Sequence, residues 1–178
     1  MQGTTGRPPS DPFAPDCPRC AALCCVALAF DRSDLFAFDK PAGAPCRHLA
    51  GHACTIHDRL SAEGFEGCVR YDCLGAGQAV VQEVFGGRSW RDEPALLAPM
   101  MEAFRTLRRI RDLAQLLEAA ARLPLSPGPA ARRDALAAAL APPGGWTRET
   151  LAAFAAGPLP AEIPAFLRTL RDTLPRRA

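Results

Sequence analysis

The amino-acid sequence predicts a mainly α-helical protein in which a small, irregular, cysteine-rich module is followed by a bundle of about four amphipathic helices. Three observations lead there. All eight cysteines fall between Cys17 and Cys73. The stretch that holds them is broken by Gly, Pro and Asp turns and has few periodic runs. Beyond about residue 94, apolar residues recur every three or four positions, the period of a helix with one buried face.

Residues 1–15 are polar and rich in Pro and Gly, without the apolar run of a secretory signal, and are expected to form a flexible leader. Residues 16–93 form the cysteine-rich module. Within it, Val26-Ala27-Leu28-Ala29-Phe30 and Leu35-Phe36-Ala37-Phe38 flank the turn-like Asp31-Arg32-Ser33-Asp34, which suggests a small hairpin. Gly75-Ala76-Gly77 reads as a tight turn leaving the module, since it lacks the third Gly and the preceding strand of a dinucleotide loop.

Residues 94–178 form the helical region. Pro94 suits a first helical position, and Leu97, Met100, Met101, Phe104, Leu107, Ile110, Leu113, Ala114, Leu117 and Ala121 make one apolar stripe that ends at Pro124. A second helix fits residues 130–141, stopped by Pro142-Pro143-Gly144-Gly145. A third starts from Thr147 as N-cap, with Glu149 in its first turn, and stops at Gly157-Pro158. A fourth fits residues 161–174, with Pro164 in its first turn, where the missing N–H costs least. Faces of this kind pack on one another or on a partner, so a protein partner is expected to dock through the C-terminal helices.

With 48% apolar but only 7% aromatic residues, the core must be built mainly from Leu, Ala and Val. A net charge of +2 speaks against a specific nucleic-acid partner. No run of about 18 apolar residues is present to span a bilayer, so no membrane partner is expected and the location is read as cytoplasmic. In a reducing compartment, clustered thiols point to metal before disulfides.

The ligand set begins with Cys17-Pro18-Arg19-Cys20-Ala21-Ala22-Leu23-Cys24-Cys25. A C-x-x-C pair aims two thiolates at one centre, and thiolates are soft donors that favour zinc, Cu(I) or iron–sulfur iron over Mg or Ca. Cys24 follows Cys20 by one helical turn, whereas its neighbour Cys25 is expected to serve another site or to be buried. Cys46, Cys54, Cys68 and Cys73 supply four more thiols, and His57, close behind Cys54, is a candidate additional ligand. His48 and His52 are read as structural or solvent-facing, and Asp72 as a candidate partner to a ligating group. Eight thiols allow two tetrathiolate sites, or one site with four supporting cysteines; spacing alone does not say which thiols group together.

The order C-x-x-C-x-x-x-C-C, then Pro45-Cys46-Arg47-His48-Leu49, then Cys54-Thr55-Ile56-His57, then Cys68 and Cys73, resembles the YkgJ-type cysteine-cluster family, named for zinc or iron chelation. The resemblance covers roughly residues 17–78. Gly64 to Gln78 looks closer to a bacterial subgroup in which the module often precedes pentapeptide repeats, but no five-residue period follows residue 78 here. Gly67 also stands where the wider family usually has Pro. The resemblance implies metal chelation, and a related module in flagellin lysine methylases implies a [4Fe–4S] cluster.

The expected function is therefore a metal-binding protein whose clustered cysteines hold an iron–sulfur cluster or Zn2+, acting as a redox, metal or interaction module. A peptide- or protein-modifying metalloenzyme and a purely structural zinc domain are the alternatives. The surplus of thiols favours closed sites over an open catalytic position. Irregular cysteine spacing, with only Cys17 and Cys20 in C-x-x-C register, suits an iron–sulfur cluster, whose irons spread the ligands, while zinc is the commoner ion in small thiol-rich domains.

Overall fold

A computed structural model of the chain describes residues 13–173, so most of the expected leader lies outside the described residues. The fold is mainly helical. Its spine is α4 (Leu97–Ala120), entered through a 3-10 turn at Pro94–Leu96. Met100, Phe104, Leu107, Ile110, Leu113 and Leu117 form its buried stripe, close to the predicted one. Each such side chain fully buried stabilises the fold by about 1.5–3 kcal/mol.

Five helices pack on this spine. From the cysteine-rich part come α1 (Leu23–Ala27) and α3 (Ala76–Ala79), and from the C-terminal part α5 (Pro127–Ala139), α6 (Arg148–Ala156) and α7 (Leu159–Thr169). One hydrophobic cluster includes Leu23, Val26 and Val80 on one side of α4 and Leu136, Leu151, Phe154 and Ile163 on the other.

Thr147 caps α6 as expected: its hydroxyl accepts from Thr150 N at 3.2 Å, and Thr150 Oγ1 accepts from Thr147 N at 2.8 Å. The next helix departs from expectation. It begins at Leu159, so Pro164 sits in its second turn rather than its first. The carbonyl of Pro160, which has no Pro164 N–H to accept, takes a hydrogen bond from Arg109 Nη2 on α4 at 2.9 Å. That bond ties α7 to the spine.

The expected hairpin around residues 31–34 is not formed. Leu23, Val26 and Ala27 are all buried, and the i, i+3, i+4 spacing that places them against α4 requires a helical turn there. Only isolated bridges, Phe30 with Lys40 and Ser33 with Phe36, remain of the pairing. The described ribbon lies further on, β1 (Leu49–Ala50) with β2 (Ala53–Cys54), antiparallel and with Leu49 opposite Cys54. A short helix, α2 (Glu66–Arg70), follows.

Gly75-Ala76-Gly77 is only partly the turn expected. Gly75, at φ +68°, does reverse the chain, but Ala76 then opens α3, which runs on into a π-helical turn at Val80–Val84. Ala76, Ala79 and Val80 are buried there, an apolar face the expected turn would have left without a role.

Residues between α1 and α2 carry a second, smaller cluster. Phe30 stacks on Phe36 at 4.3 Å between ring centroids, and Phe38 meets Phe65 edge-on at 5.1 Å. Phe65 and Ile56 are buried but stand outside the main cluster, so this outer lobe has little apolar anchorage of its own.

Candidate metal centre

Cys17 and Cys20 bracket a 3-10 turn, a tight knuckle in which Cys20 N donates to Cys17 O at 3.1 Å. Ala22 then takes the left-handed conformation at φ 53°, which costs an alanine roughly 1 kcal/mol. This reversal starts α1, the helix that carries Cys24 and Cys25. Cys73 sits just before α3, its carbonyl accepting from Ala76 N at 2.9 Å. Gly77 on α3 leaves the space that Cys20 Sγ fills, and a Cβ there would overlap the sulfur. Cys20, Cys24 and Cys73 all pack half-buried against the main core, while Cys17 is exposed at its edge.

The other thiols belong to the outer lobe. Cys25 O accepts from Cys46 N at 3.0 Å, Cys54 ends β2, and Cys68 lies in α2. Cys24, Cys25, Cys46, Cys54 and Cys68 line one cavity of about 240 Å3, otherwise walled by apolar and aromatic side chains such as Phe30, Phe36 and Phe65. All eight cysteines are free thiols, and Cys24 and Cys25 Sγ are 3.9 Å apart. Among the described residues, no three His, Cys, Asp or Glu side chains stand close enough, as placed, to hold a metal ion. The thiols are neighbours, not a closed coordination shell.

Their electrostatics show what such a site lacks. Burial pushes the Cys20 thiol up to about 12, reinforced by the charges of Cys24 and Cys73. Burial, with the charges of Cys46, Cys24 and Cys54, raises Cys68 to about 11. Cys24 is raised by its hydrogen bond with Cys25 and then by burial, and Cys17 by burial and then by Cys24 and Cys73. Thiols so placed are protonated at neutral pH, and a bound soft cation would invert that preference.

One buried cation is already present. Lys40 is only 4% exposed, and its ammonium donates to Val26 O at 3.2 Å, Pro41 O at 3.2 Å and Ala44 O at 2.9 Å. Burial lowers its pKa, while Cys46, Cys25, Cys24 and Cys68, as thiolates, would raise it. The hydroxyl of Tyr71 is the complementary feature. It is buried beside the Arg108 guanidinium, and its surroundings include Cys24 and Cys73. Soft donors, partial burial and a fixed counter-charge are what a thiophilic metal centre would draw on.

The three histidines differ in exposure and in what they touch. His57 is exposed on the 3-10 turn His57–Arg59 and does not line the cavity. His48 does line it, half-buried with Phe38 and Phe65 at 5.8 and 5.3 Å. His52 is exposed and pairs with Ser89 Oγ at 2.9 Å. Asp72 bonds locally, its carboxylate accepting from Leu74 N at 2.7 Å and so fixing the turn after Cys73. Sequence reasoning missed Lys40 and Tyr71; the one signal for Lys40 was that it is the only lysine.

The chain is 42% identical over 99 residues to the uncharacterized protein YybG of Bacillus subtilis (strain 168), an alignment covering 55% of this chain and 36% of that protein. It thus spans little more than a third of that relative's length. No family model and no solved structure matches the chain.

Proposed function

We propose that this chain is a thiolate metal-binding protein. Its clustered cysteines hold an iron–sulfur cluster or Zn2+, and it acts as a redox, metal or interaction module. The observation that carries this reading is the cavity lined by five free thiols, with the other three close by around the knuckle and α3. A chain needing only small apolar fillers would not collect eight thiols within 57 residues and none in the remainder. In this role the residues of the chain supply soft donors, Lys40 supplies a compensating charge, and the aromatic wall excludes water. A bound iron–sulfur cluster would supply reversible one-electron chemistry, and zinc would supply only structure.

The metalloenzyme alternative requires an open coordination position, and the surplus of thiols favours a closed site instead. No single helix among the described residues is long and apolar enough to cross a membrane; α6 and α7 reach the required length and composition only together, bent by 55°.

The test is anaerobic purification of the full chain from iron-replete cells, with metal and acid-labile sulfide analysis. A brown protein with iron and sulfide supports the cluster, and a colourless one with stoichiometric zinc supports the zinc form. A protein free of both, and unable to take up either when reduced, would overturn the reading.

A further inference from the structure

We infer that Cys24 and Cys25 form a dithiol site for a trivalent arsenical that carries one apolar substituent, seated in the aromatic cavity of the outer lobe. The two Sγ atoms stand 3.9 Å apart, and both residues line that cavity. Among the described residues no third metal-capable side chain joins them closely enough, as placed, to hold a metal ion. Two thiols are enough, however, for an organic arsenic(III) centre, which makes two bonds to sulfur and keeps its third to carbon. Such a centre is soft, as its thiol donors are. The inference needs only this pair and does not rest on the metal reading.

The pair is held in place before any ligand arrives. α1 carries both thiols, and its Leu23 and Val26 are wholly buried where the helix packs on α4. Cys25 N donates to Ala22 O at 3.0 Å, and Cys25 O accepts from Cys46 N at 3.0 Å, so the backbone is fixed from both sides. A dithiol fixed in this way loses little freedom when both sulfurs bind one atom.

The walls select the substituent. The cavity holds about 240 Å3 and is lined, besides its thiols, by apolar side chains such as Leu28, Phe30, Phe36, Ile56 and Phe65. An apolar cavity of about 150 Å3 admits a benzene ring, whereas pockets for drug-sized ligands begin at roughly 300 Å3. The space therefore suits one aromatic ring on arsenic. Phe30 and Phe36, stacked at 4.3 Å, and the buried Phe65 give such a ring apolar surfaces to lie against.

The reaction also leaves no charge in the cavity. In water the arsenical is a neutral acid with two hydroxyls on arsenic. Two As–O bonds break and two As–S bonds form, and each thiol proton leaves with a hydroxide as water. Nothing is oxidised or reduced, and the product is a neutral dithioarsonite. Burying a charge costs far more than burying a neutral group. The Cys24 thiol is itself held in its neutral form by its hydrogen bond with Cys25 and by burial.

The test adds one equivalent of phenylarsine oxide to the reduced, chelator-treated full chain. Intact mass, free-thiol count and displacement by dithiothreitol are followed. One phenylarsenic group per chain and the loss of two thiols are expected, with fragmentation placing the adduct on Cys24 and Cys25. Cys24→Ser or Cys25→Ser should weaken retention by about 100-fold or more, the loss of a two-point attachment. Cys17→Ser with Cys20→Ser, which removes the C-x-x-C pair, should leave retention unchanged. The phenyl arsenical should also withstand more dithiothreitol than its methyl counterpart. An adduct on Cys17 and Cys20, or arsenic spread over several pairs, would overturn the site. Equal retention of phenyl and methyl forms would overturn the role of the aromatic walls. Fragmentation of the wild-type adduct decides even if a variant unfolds.

Discussion

Lys40 shows how one side chain can be chosen for its place rather than its charge. Every other basic residue in the chain is an arginine, which by itself reads as composition. At this position a compact ammonium can satisfy three converging carbonyls, a task poorly matched to the planar fork of a guanidinium. Replacing Lys40 with Met keeps most of the apolar stem and strands those carbonyls. Lys40→Met is expected to destabilise the protein by about 3 kcal/mol, read as a lower denaturant midpoint, and Lys40→Arg should not restore it. An unchanged midpoint would mean that the three bonds contribute nothing. None of this was legible in the sequence, because the carbonyls of Val26, Pro41 and Ala44 meet only when the chain between α1 and β1 has folded back on itself. The cysteine types and their order were legible. Their grouping was not, since spacing along the chain does not say which thiols meet: Cys24 and Cys25 line one cavity with Cys46, Cys54 and Cys68. Nor was it legible that His48 rather than His57 faces the cavity, because nearness in sequence to Cys54 does not decide which side of a turn faces it.

At the scale of elements, periodicity revealed the long helices and missed the short ones. The stripe of α4 repeats over 24 residues, and the N-cap of α6 is chemically explicit in Thr147. Five residues of α1 and four of α3 are too few for a period to show, and their helicity comes from burial against α4. Gly77 is the junction between this packing and the thiols. An alanine inside a helix normally gains up to about 1 kcal/mol over glycine, but here its methyl would overlap Cys20 Sγ. Gly77→Ala is therefore expected to cost about 1–3 kcal/mol and to weaken the site at Cys20. Gly128→Ala, in α5 with open space around the added methyl, should be neutral or slightly stabilising. Thermal unfolding of the two variants side by side checks this, and equal effects would show that Cys20 is not held against α3.

At the scale of the molecule, the change in texture near residue 94 is plain in the sequence, yet one hydrophobic cluster runs across it. The cysteine-rich half contributes α1 and α3 to a shared core, and the outer lobe of aromatic rings and thiols projects beyond that core. Apolar burial accounts for the bundle; for the lobe it is thin, and ligation is the interaction proposed to complete it. The most direct measurement of that claim is X-ray absorption at the edge of the metal that accompanies the anaerobically prepared chain. The account predicts a metal at stoichiometric level with a coordination shell of sulfur, at about 2.3 Å if the metal is zinc. A shell of oxygen and nitrogen, or a chain that keeps its full fold and all eight reactive thiols without any metal, would contradict it.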